Sequence, residues 1–321
     1  MKKIIAIVLL LLFIIIAIGI SYLKFALPNV SKAPIITIEL TPERIAHGKY
    51  LANHVTVCMD CHSTRDWNKF SGPITDGTLG KGGEYFGPEF DFPGKFYSKN
   101  ITPFNLKNWT DGELFRAITV GVDKDGIALF PVMPYHYYGN MDKEDIKDII
   151  AYLRTLPEIK NDVPISKPNF PFNLILNTIP ENPKFTQCPN KSDLLAYGKY
   201  MTFAAGCIEC HTPENKGKII LEKAFSGGRA FKMPFGIVRT PNITPDKETG
   251  IGNWTDSFFV SKFKMYEQQN ALYKVTNKDI NTIMPWSMYA GMTKDDLSAI
   301  YAYLKTLKPI YNTVDRFTKA Q

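Results

Sequence analysis

The sequence predicts a mainly α-helical protein with long loops, built as two tandem copies of one domain behind an N-terminal transmembrane helix. Three observations support this fold class. The chain of 321 residues opens with an unbroken apolar run from Ile4 to Ile20. The landmarks of residues 39–160 recur in the same order in residues 193–312. Apolar residues at helical spacing begin and end each copy, whereas the intervening segments are rich in glycine and proline and show no sustained period.

The N-terminal segment, residues 1–24, is long enough to cross a bilayer, which takes about 20 apolar residues as a helix. Lys2 and Lys3 precede the apolar run and favour a cytoplasmic N-terminus. We therefore expect a single-pass anchor in the inner membrane of the cell, with the rest of the chain on the periplasmic side. A cleaved signal peptide is the alternative, because residues 17–21 contain two small-X-small sites. Either outcome exports the chain.

The two copies share landmarks at a spacing of about 150 residues. The recurring stretches are His47-Gly48-Lys49-Tyr50 with Tyr197-Gly198-Lys199-Tyr200, Asn100-Ile101-Thr102-Pro103 with Asn242-Ile243-Thr244-Pro245, Trp109-Thr110-Asp111 with Trp254-Thr255-Asp256, and Met133-Pro134-Tyr135 with Met284-Pro285-Trp286. Because every landmark keeps its place, the sequence indicates a tandem duplication. Residues 161–192 contain six prolines, which is typical of a linker, but their apolar content predicts that they lie along both domains.

Helix signals mark the closing helix of each copy. It begins at Asp142 in the first copy, and in the second copy Thr293 with Asp296 suggests a capping box. Gly48 and Gly198 occupy the same position in the first helix of their copies. We expect these glycines to let the first helix approach the last one closely.

Each copy contains one pentapeptide Cys-X-X-Cys-His, the attachment motif for c-type haem. The candidate attachment residues are Cys58 and Cys61 in the first copy and Cys207 and Cys210 in the second, and the candidate iron ligands are His62 and His211. Two cysteines one helical turn apart can each form a thioether, and the following histidine then lies under the iron. A zinc ribbon needs two such pairs about 15–20 residues apart, and a redox dithiol needs a βαβ context, so both alternatives fit poorly. The sequence predicts two covalently bound haem c groups.

The second axial ligand decides between electron transfer and catalysis, because an open or unusual position on the iron permits reactions. Met133 and Met284 align between the copies, and each precedes a proline in a loop, so they are the preferred thioether ligands. Other residues compete for this position. Met141 and Met292 are expected to be hydrophobic staples before helix caps, and His47 and His54 are expected to be solvated. His136 and Cys188 remain as rival ligands, although Cys188 is more simply a plain free cysteine.

Charge is distributed unevenly along the chain, whose net charge is +7. Residues 39–160 carry 14 basic and 17 acidic side chains, whereas residues 193–312 carry 15 basic and 11 acidic. This difference indicates either an ordinary solvated surface or two domains that face different partners. No basic cluster is interleaved with aromatics, which argues against nucleic-acid binding.

Residues 40–312 resemble a known family. The stretches NITPFNLKNWTDGELFRAITVGVDKDGIALFPVMPY and NITPDKETGIGNWTD are similar to haem domains of the cytochrome c subunits of membrane-bound alcohol and sugar-acid dehydrogenases, and NTIMPWSMYAGMTKDDLSAIYAYLKTLKPI is similar to di-haem c-type cytochromes. The resemblance implies a class I cytochrome c fold, with His62 and His211 proximal and Met133 and Met284 distal. The dehydrogenase subunits usually have three haem domains and this chain has two, and the first copy lacks the Asp-Lys-Glu-Thr-Gly-Ile-Gly portion of the loop.

These features favour an electron-transfer protein over an enzyme. We expect redox protein partners, namely a dehydrogenase and a terminal oxidase or small cytochrome, reached from a membrane tether. One alternative is a di-haem enzyme, such as a peroxidase or a sulfur-compound dehydrogenase, in which His136 or Cys188 serves one haem. Another is a docking subunit that passes electrons only within a complex.

Overall fold

A long apolar helix opens the chain in the computed structural model, which describes residues 1–268, 271–276 and 279–319. The most apolar 18-residue stretch of this helix, α1 (Lys2–Phe25), has a mean hydropathy of 3.4, and none of that stretch is buried. By length and composition it is able to cross a membrane, as the sequence predicts. Its last turn contacts the body of the protein, where the Asn177 side chain donates a hydrogen bond of 3.0 Å to the Leu23 carbonyl.

The first half of the chain begins and ends with two helices that pack on each other. These are α2 (Pro42–Tyr50) and α7 (Lys143–Arg154), and between them lie α3 (Cys58–Cys61), α4 (Pro103–Leu106), α5 (Asp111–Val120) and α6 (Tyr135–Tyr138). The Asp142 side chain caps α7 by accepting the Glu144 N–H, so the predicted start of this helix is confirmed. A π-helical turn, Leu51–Val55, follows α2 directly and leads the chain toward α3.

The second half repeats this order of principal helices. They are α9 (Leu194–Ala204), α10 (Cys207–Cys210), α11 (Asp256–Lys264), α12 (Trp286–Tyr289) and α13 (Lys294–Lys305), with α9 packed on α13. Thr293 caps α13 by accepting the Asp296 N–H at 3.1 Å. The reciprocal bond of the predicted capping box does not form, and that prediction is wrong. The Asp296 carboxylate instead accepts hydrogen bonds from Tyr50, Tyr197 and Lys191.

Short antiparallel sheets lie in the loops, for which the sequence predicts no regular structure. They pair β1 (Tyr85–Phe86), β2 (Gly94–Tyr97) and β3 (Lys167–Pro168), then β4 (Glu214–Asn215) and β5 (Lys218–Ile219), then β6 (Ala230–Met233), β7 (Gly236–Arg239) and β8 (Phe317–Lys319). Strands this short show too little alternation to be recognised from sequence. Because β8 pairs with β7, the chain beyond residue 312 still packs on the second half.

Close helix contacts organise a continuous hydrophobic core that extends through both halves. A Cβ atom built on Gly48 would lie 1.7 Å from the Asp148 carbonyl oxygen of α7, and one on Gly198 would lie 1.9 Å from the Ala299 carbonyl oxygen of α13. No side chain fits either place. The predicted role of both glycines in close helix approach is confirmed.

Equivalent tyrosines of the two halves form reciprocal hydrogen bonds across the interface between the halves. Tyr50 of α2 donates a hydrogen bond to the Asp296 carboxylate of α13, and Tyr200 of α9 donates one to the Asp145 carboxylate of α7. Each tyrosine also accepts a backbone N–H from the residue that caps the same partner helix. Both carboxylates are nearly or fully buried, so each half provides donors that the other half needs.

The linker, residues 161–192, runs along the surface of both halves, as predicted. β3 pairs with β2, and Phe172, which opens α8 (Phe172–Ile175), packs on the ring of Phe130 with 5.8 Å between centroids. Further along, Lys191 forms an ion pair of 3.0 Å with Asp296 of the second half.

Part of the apolar surface of the linker stays uncovered by protein. Phe170 is 76% exposed and Ile175 is 47% exposed, although such residues are expected to avoid open solvent. Both lie on or beside α8, the short helix that contacts α1. The exposed side chains therefore lie near the end of the apolar N-terminal helix.

Candidate haem-binding sites

The two cysteine pairs lie on equivalent single turns of helix. Val57, with φ of 44°, precedes α3, and Gly206, with φ of 64°, precedes α10. This left-handed residue turns the chain sharply before the first cysteine, an uncommon conformation for valine. All four motif thiols are half-buried, and burial raises the pKa of Cys207 to about 12. The sequence places both cysteines of a pair on one helical turn, and the structure agrees.

The two motif histidines share one hydrogen-bonding arrangement. Nδ1 of His62 lies 2.7 Å from the Lys99 carbonyl, and Nδ1 of His211 lies 2.9 Å from the Pro241 carbonyl. A carbonyl accepts only from an N–H, so Nδ1 carries the proton and Nε2 keeps its lone pair. Burial lowers the pKa of His62 and lowers that of His211 to about 4. Both rings are therefore held neutral in the tautomer that suits a metal ligand.

The structure brings Cys58, His62 and Met133 together around one cavity of the first half. The other lining residues are predominantly apolar and include Leu106, Trp109, Ile118, Leu129, Ile149 and Leu153. His136 does not line this cavity. The arrangement offers a thiol, an imidazole and a thioether around an apolar space.

Met133 and Met284 lie in loops of the same local geometry. The Tyr135 N–H donates to the Met133 carbonyl at 2.8 Å, and the Trp286 N–H donates to the Met284 carbonyl at 2.8 Å. Both methionine side chains are partly buried against the core. Their equivalence in the repeat therefore extends from sequence to backbone conformation.

The competing residues occupy other environments. Met141 and Met292 are buried in the hydrophobic core, at 2% and 1% exposure. The side chain of His136 is half exposed and lies 3.9 Å from Glu209. Cys188 is half-buried in the linker, and its backbone N–H donates to the Asp142 carboxylate.

The predicted solvation is confirmed for His47, whose side chain is exposed although it also makes a tertiary contact, and the prediction that His54 is simply solvated is wrong. His47 hydrogen-bonds the Asp148 carboxylate at 2.9 Å, because α2 lies so close to α7. His54 has its Nδ1 2.8 Å from the Met288 carbonyl and packs against Gly291 of the second half. Both histidines belong to tertiary contacts that the local sequence does not announce.

The residues that orient the motif histidines are not predicted from the sequence. The carbonyls of Lys99 and Pro241 directly precede the repeated Asn-Ile-Thr-Pro stretches. In those stretches, Asn100 and Asn242 each accept two hydrogen bonds from the threonine two residues later, which fixes the turn. The recurrence of this stretch was the available signal, but a carbonyl acceptor has no side-chain identity that sequence can reveal.

The two motifs lie close to each other across the interface between the halves. Tyr137 donates a hydrogen bond of 2.8 Å to Glu209, which lies inside the second motif. Burial raises the pKa of Cys210, and the Asp60 carboxylate of the first motif adds to this rise. Tyr138 and Tyr289 occupy equivalent positions, and each donates to a backbone carbonyl shortly before the motif of its own half.

These residues fit a covalently attached haem. Each half provides two thiols on one turn, a neutral imidazole whose Nε2 keeps its lone pair and a partly buried methionine. In the second half, the Thr240 hydroxyl is buried beside Pro241 with no hydrogen-bond partner among the described residues, so it is available to a polar group of a bound cofactor. A helical fold with sites of this kind is typical of c-type cytochromes.

Comparison with known proteins supports this class. Residues 195–308 match the family model Cytochrome c, so this part of the chain is a cytochrome c domain, which implies covalently bound haem c. The chain is 28% identical over 294 residues to the cytochrome c subunit of a quinone-dependent alcohol dehydrogenase of Gluconacetobacter polyoxogenes, with 85% of this chain and 58% of that protein covered.

Other relatives belong to the same kind of complex. The fructose dehydrogenase cytochrome subunit of Gluconobacter japonicus is 29% identical over 82% of this chain and 52% of its own length. The gluconate 2-dehydrogenase cytochrome c subunit of Pantoea cypripedii is 26% identical over 89% of this chain and 65% of its own length. The resemblance stated from sequence is confirmed, and the chain spans about half to two thirds of the length of these relatives.

Proposed function

We propose that this chain is a membrane-anchored di-haem cytochrome c that transfers electrons between a dehydrogenase or respiratory complex and an acceptor. The observation that carries the proposal is the double occurrence of one site: a Cys-X-X-Cys-His turn whose histidine is hydrogen-bonded to the carbonyl before an Asn-Ile-Thr-Pro loop. Two such sites accommodate two haem c groups in tandem cytochrome c domains at 39–160 and 193–312. Bound haem supplies reversible one-electron transfer at its iron.

Each protein residue has a defined part in this proposal. His62 and His211 act as proximal ligands, held in orientation by the carbonyls that accept from Nδ1. Met133 and Met284 act as distal ligands, and a thioether there raises the reduction potential. The apolar lining of the first cavity excludes water, which favours the less charged state of the site. With a histidine and a methionine both bound, the iron would have no open position for substrate, so electron transfer is favoured over catalysis.

The closeness of the two motifs supports electron passage within one molecule. Electrons would enter at one site and leave from the other, with the Tyr137–Glu209 contact between them. The names of the relatives make a dehydrogenase the first candidate donor. A terminal oxidase or small cytochrome is the proposed acceptor on the periplasmic side.

Membrane attachment is proposed through α1, and Phe170 and Ile175 beside its end would face the bilayer surface. Retention of the segment is tested by intact mass spectrometry of protein extracted from membranes. A mass that includes residues 1–24 and resistance to carbonate extraction are expected. A mature chain that lacks these residues and is released by carbonate would instead identify a signal peptide.

The ligand assignment is tested with matched methionine variants of the full-length, haem-loaded protein. Met133→Leu and Met284→Leu keep a similar volume but remove the thioether. Each is expected to alter the spectrum and potential of a different haem, measured by a redox titration with spectra resolved for each haem. Met141→Leu is the control and should change neither. Intact mass spectrometry that shows fewer than two attached haems, or a ligand variant that changes neither spectrum, would refute the proposal.

A further inference from the structure

Residues 66–75 of the first half form a loop, here called the 66–75 loop, that lies against the segment carrying Met284. The Phe70 N–H donates to the Tyr273 carbonyl at 2.8 Å, and the Val275 N–H donates to the Asn68 carbonyl at 2.8 Å. The loop begins four residues after His62. One candidate haem site therefore contacts the methionine-bearing segment of the other site through a short stretch of chain.

Ser71 makes the closest contacts within this arrangement. Its side chain is fully buried, and its hydroxyl donates to the Met284 carbonyl at 2.6 Å and accepts the Trp286 N–H at 3.0 Å. Its own N–H donates to the Asn281 side chain at 2.8 Å. Ser71 thus binds the backbone on both sides of Pro285, in the turn that carries the proposed ligand.

Arg65 holds Ser71 in place. Its guanidinium donates to the Ser71 carbonyl at 2.6 Å, to the Gly72 carbonyl at 2.8 Å, and to the Asp60 carboxylate at 3.0 Å. Ser71 has a φ of 65°, in the left-handed region that L-residues rarely adopt, so external bonds must maintain this conformation. Asp60 belongs to the first Cys-X-X-Cys-His motif. A continuous polar chain therefore runs from that motif through Arg65 and Ser71 to Met284.

The equivalent methionine of the first half lacks such support. The Met133 carbonyl accepts the Tyr135 N–H, as the Met284 carbonyl accepts the Trp286 N–H. Within the described residues, however, no side chain of the second half donates to the Met133 carbonyl. The support is asymmetric, although the two loops are otherwise equivalent.

We propose that Ser71, oriented by Arg65, is a positioning residue for Met284 and thereby sets the ligand strength at the second haem from the first half of the protein. This inference rests on the proposed function, in which Met284 is the distal ligand. When hydrogen bonds fix the backbone around a ligand, its side chain needs no rearrangement to bind the iron. Without Ser71 the turn has more freedom, and the thioether leaves the iron more often.

The test is Ser71→Gly in the full-length, haem-loaded protein. Glycine accepts the positive φ without strain, so the substitution removes the hydroxyl while the backbone conformation stays accessible. Loss of its two hydrogen bonds is expected to raise the rate of cyanide binding to one ferric haem about tenfold. The potential of the same haem should fall by up to about 59 mV, the equivalent of tenfold for one electron, because a thioether prefers ferrous iron. The other haem should not change.

The control is Ser166→Gly, which removes a hydroxyl that accepts the Tyr97 N–H in the linker and should alter neither haem. Arg65→Lys keeps the charge but cannot span the same three acceptors, so a smaller change at the same haem is expected. If the Ser71 variant does not accumulate, the Arg65 variant makes the same distinction.

The outcomes separate this inference from the proposed function. If Met284→Leu changes no haem, the ligand assignment itself is wrong. If Met284→Leu alters one haem, but Ser71→Gly leaves that haem unchanged or alters both haems equally, the assignment stands and the positioning role is wrong. A change confined to the haem that Met284→Leu affects supports the inference.

Discussion

The close approach of α2 to α7 at Gly48 allows a stability prediction. In Gly48→Ala the new Cβ atom would start 1.7 Å from the Asp148 carbonyl oxygen, and the contact must open to at least 3.0 Å. The neighbour is backbone, so it cannot rotate away. Overpacking lowers the free energy of unfolding by about 1–3 kcal/mol. We expect a loss near the upper end of this range, because the backbone neighbour cannot move aside. Alanine regains about 0.5–1 kcal/mol of helix propensity, so we expect a net loss of about 2 kcal/mol.

The assay is chemical denaturation of the full-length, haem-loaded protein in detergent, followed by far-ultraviolet circular dichroism. Gly198→Ala should behave alike, because its Cβ would lie 1.9 Å from a carbonyl oxygen of α13. Gly19→Ala is the control, since nothing lies within 4 Å of that position. A Gly48→Ala protein as stable as the wild type, or more stable, would refute the packing argument.

Other predictions concern the polar contacts. The hydrogen bond to Asp148 raises the pKa of His47 in the folded protein. The stabilising contribution of this contact is therefore complete below about pH 6.5 and is lost as pH rises through the pKa of the folded state. Because the ring is half exposed, we expect the free energies of unfolding of wild type and His47→Gln to differ by a few tenths of a kcal/mol at pH 6 but not at pH 8.5. Tyr200→Phe should cost about 1.5–3 kcal/mol in denaturation, because it deprives the buried Asp145 carboxylate of a donor, whereas an unchanged midpoint would exclude that contact. Burial raises the pKa of Cys188 to about 12, so this thiol should react with iodoacetamide far more slowly at pH 8 in folded than in denatured protein; equal rates would contradict its burial.

Local signals in the sequence anticipated the local structure well. The start of α7 at Asp142 and the cap of α13 at Thr293 each depend on residues within one or two helical turns. Such features follow from backbone geometry and side-chain type alone. The short strands escaped recognition because two to four residues carry no readable period. In addition, β3 and β8 pair with strands that lie far from them along the chain.

Polar side chains were harder to predict than apolar ones. Asp296 follows the pattern of a capping box, yet its carboxylate accepts a hydrogen bond from Tyr50 of the other half, 246 residues away in the chain. His54 precedes a motif on what looks like an open helix face, but it packs on Gly291. A polar group binds whichever partner folding brings near, and sequence does not state which one that is.

By itself the sequence determined the apolar α1, the two Cys-X-X-Cys-His turns and the closing helix of each half, because spacing within one or two turns encodes each of them. Only the tertiary structure decided that backbone carbonyls at Lys99 and Pro241 orient the motif histidines, and that Ser71 of one half holds the Met284 turn of the other. The physical reason is that backbone acceptors are chemically alike at every position, so only the folded chain selects the one that lies within hydrogen-bond distance.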